Sequence, residues 1–335
     1  MKYLNKVENY HSKLSLLETE MAIKYVKDTF ERILSRNLNL TRVSAPLFVS
    51  SSSGINDYLN GTERVIKFQG LYLKDEMEIV QSLAKWKRMS LKKYQFIPET
   101  GLYTDMNAIR RDEEPDAIHS LYVDQWDWER IIKDTERNLT YLKKIVRKVY
   151  KSIYDTLQLV NKKFPILSGE LPEKIFFISS QDLENLYPTL APKERENQIC
   201  KQYQAVFIYQ IGKVLNSGQP HDLRAADYDD WELNGDILVW NNVIKSAFEL
   251  SSMGIRVDKV SLVKQLRQKN ELDKINNEYC QAILNDEYPL TIGGGIGQSR
   301  LCMFMLEKAH IGEVQVSMWD KEYLNNLIKK NIKLL

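Results

Sequence analysis

Cysteine is scarce in this chain, and none of it is placed for chemistry. The 335 residues hold three cysteines, Cys200, Cys280 and Cys302, far apart and each in helix-like surroundings. An odd count without pairing logic argues for reduced thiols in a cytoplasmic protein. With no Cys-x-x-Cys and no Cys/His cluster, structural zinc is not expected. Long apolar runs are also missing: no window of about 18 apolar residues suggests a membrane span. Met1 to Lys6 has no apolar run behind it, so no signal peptide is expected. Charge of one sign is lacking as well. The 47 Lys and Arg against 45 Asp and Glu leave +2, too little for a large nucleic-acid footprint. Repeats and low-complexity tracts are absent. What remains is ordinary, at 43% hydrophobic and 27% charged residues, in a length that suits one large domain or two average ones.

Against that background one stretch stands out, Leu290-Thr291-Ile292-Gly293-Gly294-Gly295-Ile296-Gly297-Gln298-Ser299-Arg300-Leu301. A dinucleotide fingerprint would put glycine where Arg300 stands, and a Walker loop would need Gly-Lys-Ser/Thr. Two readings remain open. The glycines let another group lie flat on the backbone while Arg300, on a first helical turn, meets a phosphate or a base. Alternatively this is a glycine-rich turn with a surface arginine.

The rest of the chain reads in order as follows. Ser15 and Glu18 form a capping box for a helix over 15–36, with Ile23, Val26, Phe30 and Ile33 on one face. An extended segment, Thr41 to Val49, carries Pro46, which excludes a central strand position. Residues 50–63 are a polar loop holding Asp57, as fit for a turn as for a site. Strands follow at Val65–Phe68 and Glu78–Val80, then a helix N-capped by Ser82 that carries Lys87. A hairpin joins Tyr103–Arg110 to His119–Glu129 and sets Leu121, Val123, Gln125 and Asp127 on one face, a wall that turns polar. A long helix spans 135–161. A strand at Lys174–Ile178 precedes a helix that starts at Ser180 to Asn185 and stops at Pro188, a helix over 193–203, and then a strand at Ala205–Gly212. Asp227, Asp229 and Asp230 either bind a cation or an ammonium group or form a solvated turn. Strands at Gly235–Asn241 and Ser246–Val257 follow. The second is predicted to put Glu249, Ser251 and Met253 on one face, and Asp236 with Glu249 makes a magnesium pair across the two strands. Helices at 261–269 and 272–285 lead into the glycine stretch, and a last strand covers 311–319. About eight strands and seven helices without βαβ alternation predict an α+β fold, an antiparallel sheet flanked by helices.

These pieces resemble the three motifs of class II aminoacyl-tRNA synthetase catalytic domains, on the aspartyl and asparaginyl branch. Gln81-Ser82-Leu83-Ala84-Lys85-Trp86-Lys87 is similar to that branch's Gln-Ser-Pro-Gln-Leu-x-Lys segment. Glu249 to Arg256 is similar to Glu-Leu-Gly-Gly-Gly-Ser-x-Arg, with Ser251-Ser252-Met253 in place of the glycines. Only about 40 residues precede the first motif, with no room for an anticodon-binding barrel of about 100. The segments His119 to Glu129, Asp227 to Trp231, Asn234 to Trp240 and Thr291 to Leu301 together resemble the ammonia-dependent asparagine synthetases, over nearly the whole chain.

That resemblance implies a single catalytic domain over 1–335 that makes asparagine from aspartate, ammonia and ATP through β-aspartyl-AMP, with magnesium. It implies Arg110 on the α-phosphate, Gly295, Gly297 and Arg300 at the nucleotide, and Asp236 and Glu249 on the metal. It implies Ser82, Lys87, Gln125, Asp127, Ser251 and Arg256 at the aspartate. Lys87 and Arg256 would grip the carboxylate that does not react. Asp57 and Asp229 would divide the handling of ammonia and the α-ammonium between them. The implied partners are these small molecules and a second copy of the chain, with no nucleic acid and no membrane. The alternatives are a truncated aspartyl- or asparaginyl-type synthetase and a silent synthetase-like regulator that binds an amino acid.

Overall fold

Ser15 starts the first helix as its sequence predicts. The hydroxyl of Ser15 accepts the Glu18 N–H at 3.3 Å, and the Glu18 carboxylate accepts the Ser15 N–H at 2.8 Å. The helix, α1 (Leu16–Leu38), buries Ile23, Val26, Phe30 and Ile33 on its inner face. The structure is a computed structural model that describes residues 3–7, 9–57, 59 and 63–335. Of the polar loop expected over 50–63, Tyr58 and residues 60–62 lie outside the described residues.

The extended segment after α1 divides into β1 (Leu40–Arg42) and β2 (Phe48–Ser50), which belong to different sheets, and Pro46 falls between them. β2 pairs with β4 (Glu76–Ile79), which pairs in turn with β3 (Lys67–Gln69), as a small antiparallel sheet. Helix α2 (Ala84–Lys93) begins one residue later than predicted. Its N-cap is Leu83, while Ser82, one residue earlier, accepts the Ala84 N–H at 3.2 Å.

β5 (Gly101–Ile109) and β6 (Tyr122–Ile131) form the predicted hairpin. Asn138 caps the long helix α3 (Leu139–Lys163). Then come β7 (Phe176–Ser179), α4 (Ser180–Leu186), α5 (Pro192–Tyr203), β8 (Ala205–Tyr209), β9 (Asp229–Asn241) and β10 (Ser246–Arg256). α6 (Lys259–Gln268) and α7 (Glu278–Leu284) precede β11 (Thr291–Gly297), α8 (Gln298–Met305) and α9 (Lys321–Lys329). The strand expected at 311–319 is not formed. Backbone donors there are satisfied locally instead: Gly312 N–H donates to His310 Nδ1 at 3.0 Å, and Ala309 N–H to Glu313 Oε2 at 2.9 Å. α9 was not foreseen.

Eight strands make the main sheet in the order β1-β5-β6-β11-β10-β9-β8-β7, antiparallel except for the parallel edge pairs β1–β5 and β7–β8. The α+β prediction holds. One face packs on α1, α3 and α8, with Trp126 and Trp128 of β6 and Ile292 and Ile296 of β11 fully buried among them. The opposite face is open at its centre, between α2 on one side and α4 and α5 on the other. Alternation along β6 sends Gln125, Asp127 and Glu129 to that open face.

On β10 simple alternation fails. Its register against β9 shifts between Glu249 and Ser251. The bulge carries Met253 into the core beside Phe248, so Met253 does not share the face of Glu249 as predicted. Glu249, Ser251, Ser252 and Arg256 all border the open side.

Candidate active site

A cleft of about 460 Å³ lies over the centre of the open face. It gathers Asp57, Ser82, Lys87, Arg110, Gln125, Asp127, Asp229, Glu249, Ser251, Arg256, Gly295, Gly297 and Arg300, drawn from a loop, α2, the β5–β6 hairpin, β9, β10, β11 and α8. Of the residues assigned a role by the resemblance, all are in its wall except Asp236, which lies on β9 opposite Ser252 of β10.

The floor is a set of buried ion pairs. Lys87 Nζ donates to Asp127 Oδ1 at 2.7 Å and to the Gly294 carbonyl at 2.9 Å. Arg256 forks onto Glu129, with Nε 3.0 Å from Oε1 and Nη2 2.7 Å from Oε2, and its Nη1 donates to Asp229. Thr291 Oγ1 adds a bond of 2.6 Å to Glu129. Burial raises the Glu129 carboxyl, but Arg256 outweighs burial and holds it below its usual range. At Asp229 burial wins over the same guanidinium, and its carboxyl is raised.

The glycine run makes this floor possible. A Cβ on Gly293 would sit 1.9 Å from Glu129 Oε2 and 2.5 Å from Arg256 Nη2. One on Gly295 would sit 2.4 Å from Gln125 Oε1. The flat floor expected here is therefore already covered at Gly293 and Gly295 by side chains of the neighbouring strands. Only at Gly297 is the close neighbour Arg300, whose Cβ would be 3.1 Å away.

At the other end Arg300 Nη1 donates to the Glu249 carbonyl at 3.3 Å, and its guanidinium lies 5.9 Å from the Phe248 ring. Burial acts against ionisation at Glu249, yet Arg300 and Lys193 hold its pKa below the usual value. Asp236 goes the other way: burial, with Glu249 adding to it, pushes its carboxyl up to about 7 despite Arg224. Arg224 Nη2 is 2.5 Å from Asp236 Oδ2, while Asp236 Oδ1 is buried without a hydrogen-bond partner. Among the described residues no group of three or more His, Cys, Asp and Glu is placed to hold a metal.

Two charges in the wall are uncommitted. Arg110 makes no side-chain hydrogen bond or ion pair among the described residues, and its Nε is buried. Asp57 accepts the Leu59 N–H at 3.0 Å through Oδ1, but Oδ2 is buried without a partner. Burial pushes the Asp57 carboxyl up to about 6, against the pull of Lys85.

The three clustered aspartates do not converge. Asp227 pairs with Lys85 at 2.6 Å, Asp229 with Arg256, and Asp230 with Arg137. Sequence reasoning missed Glu129, Lys85 and Arg224. Glu129 was within reach, since it continues the Gln125 and Asp127 alternation by one step. Arg224 lies in a loop whose sequence carries no such period.

Comparison with known proteins gives consistent matches. The family model described as Aspartate-ammonia ligase matches residues 17–331. An aspartate–ammonia ligase from Clostridium tetani is 56% identical over 332 residues, covering 98% of this chain and 96% of the relative. One from Bacillus cytotoxicus is 56% identical over 325 residues, 97% and 99% of the two chains. Among solved structures, the asparaginyl-tRNA synthetase of Pyrococcus horikoshii complexed with asparaginyl-adenylate superposes with a TM-score of 0.66 at 16% identity, over 89% of this chain and 68% of that one. An aspartyl-tRNA synthetase of Entamoeba histolytica gives 0.61 at 14% identity, over 91% and 59%. These last two likenesses are of fold.

Proposed function

The chain belongs to the aspartate–ammonia ligase family, and from that premise we propose how its cleft makes L-asparagine from L-aspartate, ammonia and ATP. In the first step an oxygen of the aspartate β-carboxylate attacks the α-phosphorus of ATP. Pyrophosphate leaves and β-aspartyl-AMP forms. In the second, ammonia attacks the β-carbonyl carbon, the bond from that carbon to the phosphate oxygen breaks, and AMP leaves with asparagine.

Arg110 is assigned to the α-phosphate. Of the cationic side chains in the wall, Lys87, Arg256, Arg224, Arg300 and His119 each have a protein partner. Arg110 has none among the described residues, and this observation carries the reading. A guanidinium with no protein partner to give up can pair with the phosphate as charge builds there. Lys87 and Arg256 are assigned to the α-carboxylate, Gln125 and Asp127 with Ser82 and Ser251 to the rest of the aspartate, and Gly295, Gly297 and Arg300 to the nucleotide. Asp229 is buried on Arg256, so it is assigned to holding that guanidinium rather than to ammonia. Asp57, with its free Oδ2, is assigned to ammonium, which must lose a proton before it attacks.

A divalent cation, read here as magnesium, fits Asp236 and Glu249. The orphaned Asp236 Oδ1 supports this, and two carboxylates are what such an ion takes from a protein when phosphates supply its other ligands. Bound there, it would neutralise phosphate charge.

The chain is further read as a single catalytic domain, cytoplasmic, acting without nucleic acid and as a homodimer through α1 and the Pro46 segment. Exposed Leu17 and Met21 on α1, with Leu47 and Phe48 beside Pro46, support the pairing. No helix among the described residues is long and apolar enough to cross a membrane. The test is direct. Purified protein incubated with ATP, magnesium, aspartate and ammonium is expected to yield asparagine and AMP in equal amounts. Release of ADP, or no asparagine, would sink the reading.

A further inference from the structure

Behind Asp57 lies a second, smaller cavity of about 110 Å³. A space of about 10–15 Å³ on this measure is enough for one water, so the cavity has room for several waters or an ammonium ion. Asp57, Leu59 and Ala225 border both this cavity and the main cleft, so the two spaces share a wall. Charges around the small cavity balance. Lys85, Lys269 and Lys274 face Asp57, Asp227 and Glu271. Lys85 is held by Asp227 at 2.6 Å and Lys274 by Glu271 at 2.9 Å. The Lys85–Asp227 pair is buried on both sides, at 7% and 6% side-chain exposure. Within this balanced shell Asp57 Oδ2, in the shared wall, is buried without a hydrogen-bond partner among the described residues.

We propose that the small cavity is the inlet for ammonia, and that the Lys85–Asp227 pair is a positioning element that keeps Asp57 free to receive it. The proposal rests on the ligase reading of the main cleft. Its chemical sense lies in the order of events. Ammonia is needed only after the adenylate has filled the main cleft, so entry from the smaller neighbouring cavity brings nitrogen in without displacing the intermediate. Ammonium arriving at Asp57 gives one proton to Oδ2. The nitrogen lone pair then forms the bond to the β-carbonyl carbon, AMP leaves, and a second proton departs from the new amide nitrogen to solvent. Lys85 lies close enough to influence Asp57 through its charge. Without Asp227 it would turn to Asp57 and neutralise the group that draws ammonium in.

Two variants of the full chain test this, Ala225→Leu, which fills the shared wall, and Asp227→Asn, which frees Lys85. Each is assayed with ammonium chloride varied at saturating aspartate and ATP, and separately for aspartate-dependent exchange of pyrophosphate into ATP, which needs no ammonia. Both are expected to raise the KM for ammonium about tenfold or more while exchange stays within about threefold of wild type. Unchanged ammonium KM in Ala225→Leu with exchange retained would place ammonia delivery in the main cleft and overturn the inlet. Parallel loss of exchange and ammonium use in both variants would also overturn it, because the cavity would then serve the first step. Failure of the wild-type protein to make asparagine at all is a different result and strikes the ligase reading itself.

Discussion

Replacing Gly293 by alanine tests the tightest contact in the site. The added Cβ would lie 1.9 Å from Glu129 Oε2, and ordinary contact begins near 3.4 Å, so the carboxylate must retreat by about 1.5 Å. Its bonds from Arg256, at 3.0 and 2.7 Å, then lengthen beyond hydrogen-bonding range. Glu129 and Arg256 are both buried, and breaking a buried pair costs about 3–5 kcal/mol. If about 3 kcal/mol of that falls on the aspartate subsite, kcat/KM for aspartate drops roughly a hundredfold. The rest falls on the fold, so the melting temperature drops as well. Gly297→Ala is the comparison, because its Cβ meets only the Arg300 side chain at 3.1 Å, a contact that a shift of a few tenths of an ångström relieves. It is expected to change ATP kinetics modestly and to leave aspartate nearly untouched. The measurement is steady-state kinetics against both substrates with a thermal melt of each variant. A Gly293→Ala protein with wild-type kcat/KM for aspartate and an unchanged melt would refute the reasoning, since the glycine would then not be making room for the ion pair.

Arg110→Ala is expected to abolish aspartate-dependent pyrophosphate exchange, and normal exchange would remove Arg110 from the activation step. Lys87→Met leaves Asp127 buried without its cation and should raise the aspartate KM about tenfold or more, whereas an unchanged value would make the lysine scaffold. Ammonia-dependent turnover should rise with pH through about 6, where the buried Asp57 carboxyl ionises, and Asp57→Asn should lose that rise; a turnover profile that is level there in wild type contradicts the base. The same group leaves a mark on stability. Its folded pKa of about 6 lies above the unfolded 3.8, so ionisation in the folded state costs stability as pH rises. Relative to wild type, Asp57→Asn should therefore gain about 1.4 kcal/mol between pH 5 and pH 8 in unfolding measurements, and a difference that does not change with pH would deny the shift.

What the sequence made legible was local. The Ser15 and Glu18 box works across three residues, and the alternation of Gln125 and Asp127 works across two, so both can be read from spacing alone. The β10 bulge defeats spacing, because one extra residue inverts every later side chain; Met253 went to the core for that reason. The residues at 311–319 misled because an alternating apolar pattern does not reveal that Glu313 and His310 will satisfy the backbone locally. The ion pairs were hidden for another reason. Glu129 and Arg256 stand 127 residues apart, and Lys87 meets a carbonyl 207 residues away. Neither distance leaves any period in the chain. Only a likeness to a family placed these residues together beforehand, and it named Arg256 without naming its partner Glu129.

The pairing of charges also explains how so polar a cleft is compatible with a stable fold. An isolated buried charge is expensive, and one with a good partner is tolerable. Lys87 rests on Asp127, Arg256 on Glu129 and Asp229, Arg224 on Asp236, and Lys85 on Asp227. Each of these cations is held in a fixed place at modest cost, and a substrate carboxylate or phosphate that arrives adds a partner to a guanidinium or ammonium already oriented. Arg110 and Asp57 are the exceptions, and they carry the opposite charges that the two proposed steps call for. A protein gains nothing in stability from burying Asp57 Oδ2 and Arg110 Nε without a hydrogen-bond partner among the described residues. The cost makes sense only if both are completed by what binds between them, a phosphate against Arg110 and an ammonium against Asp57.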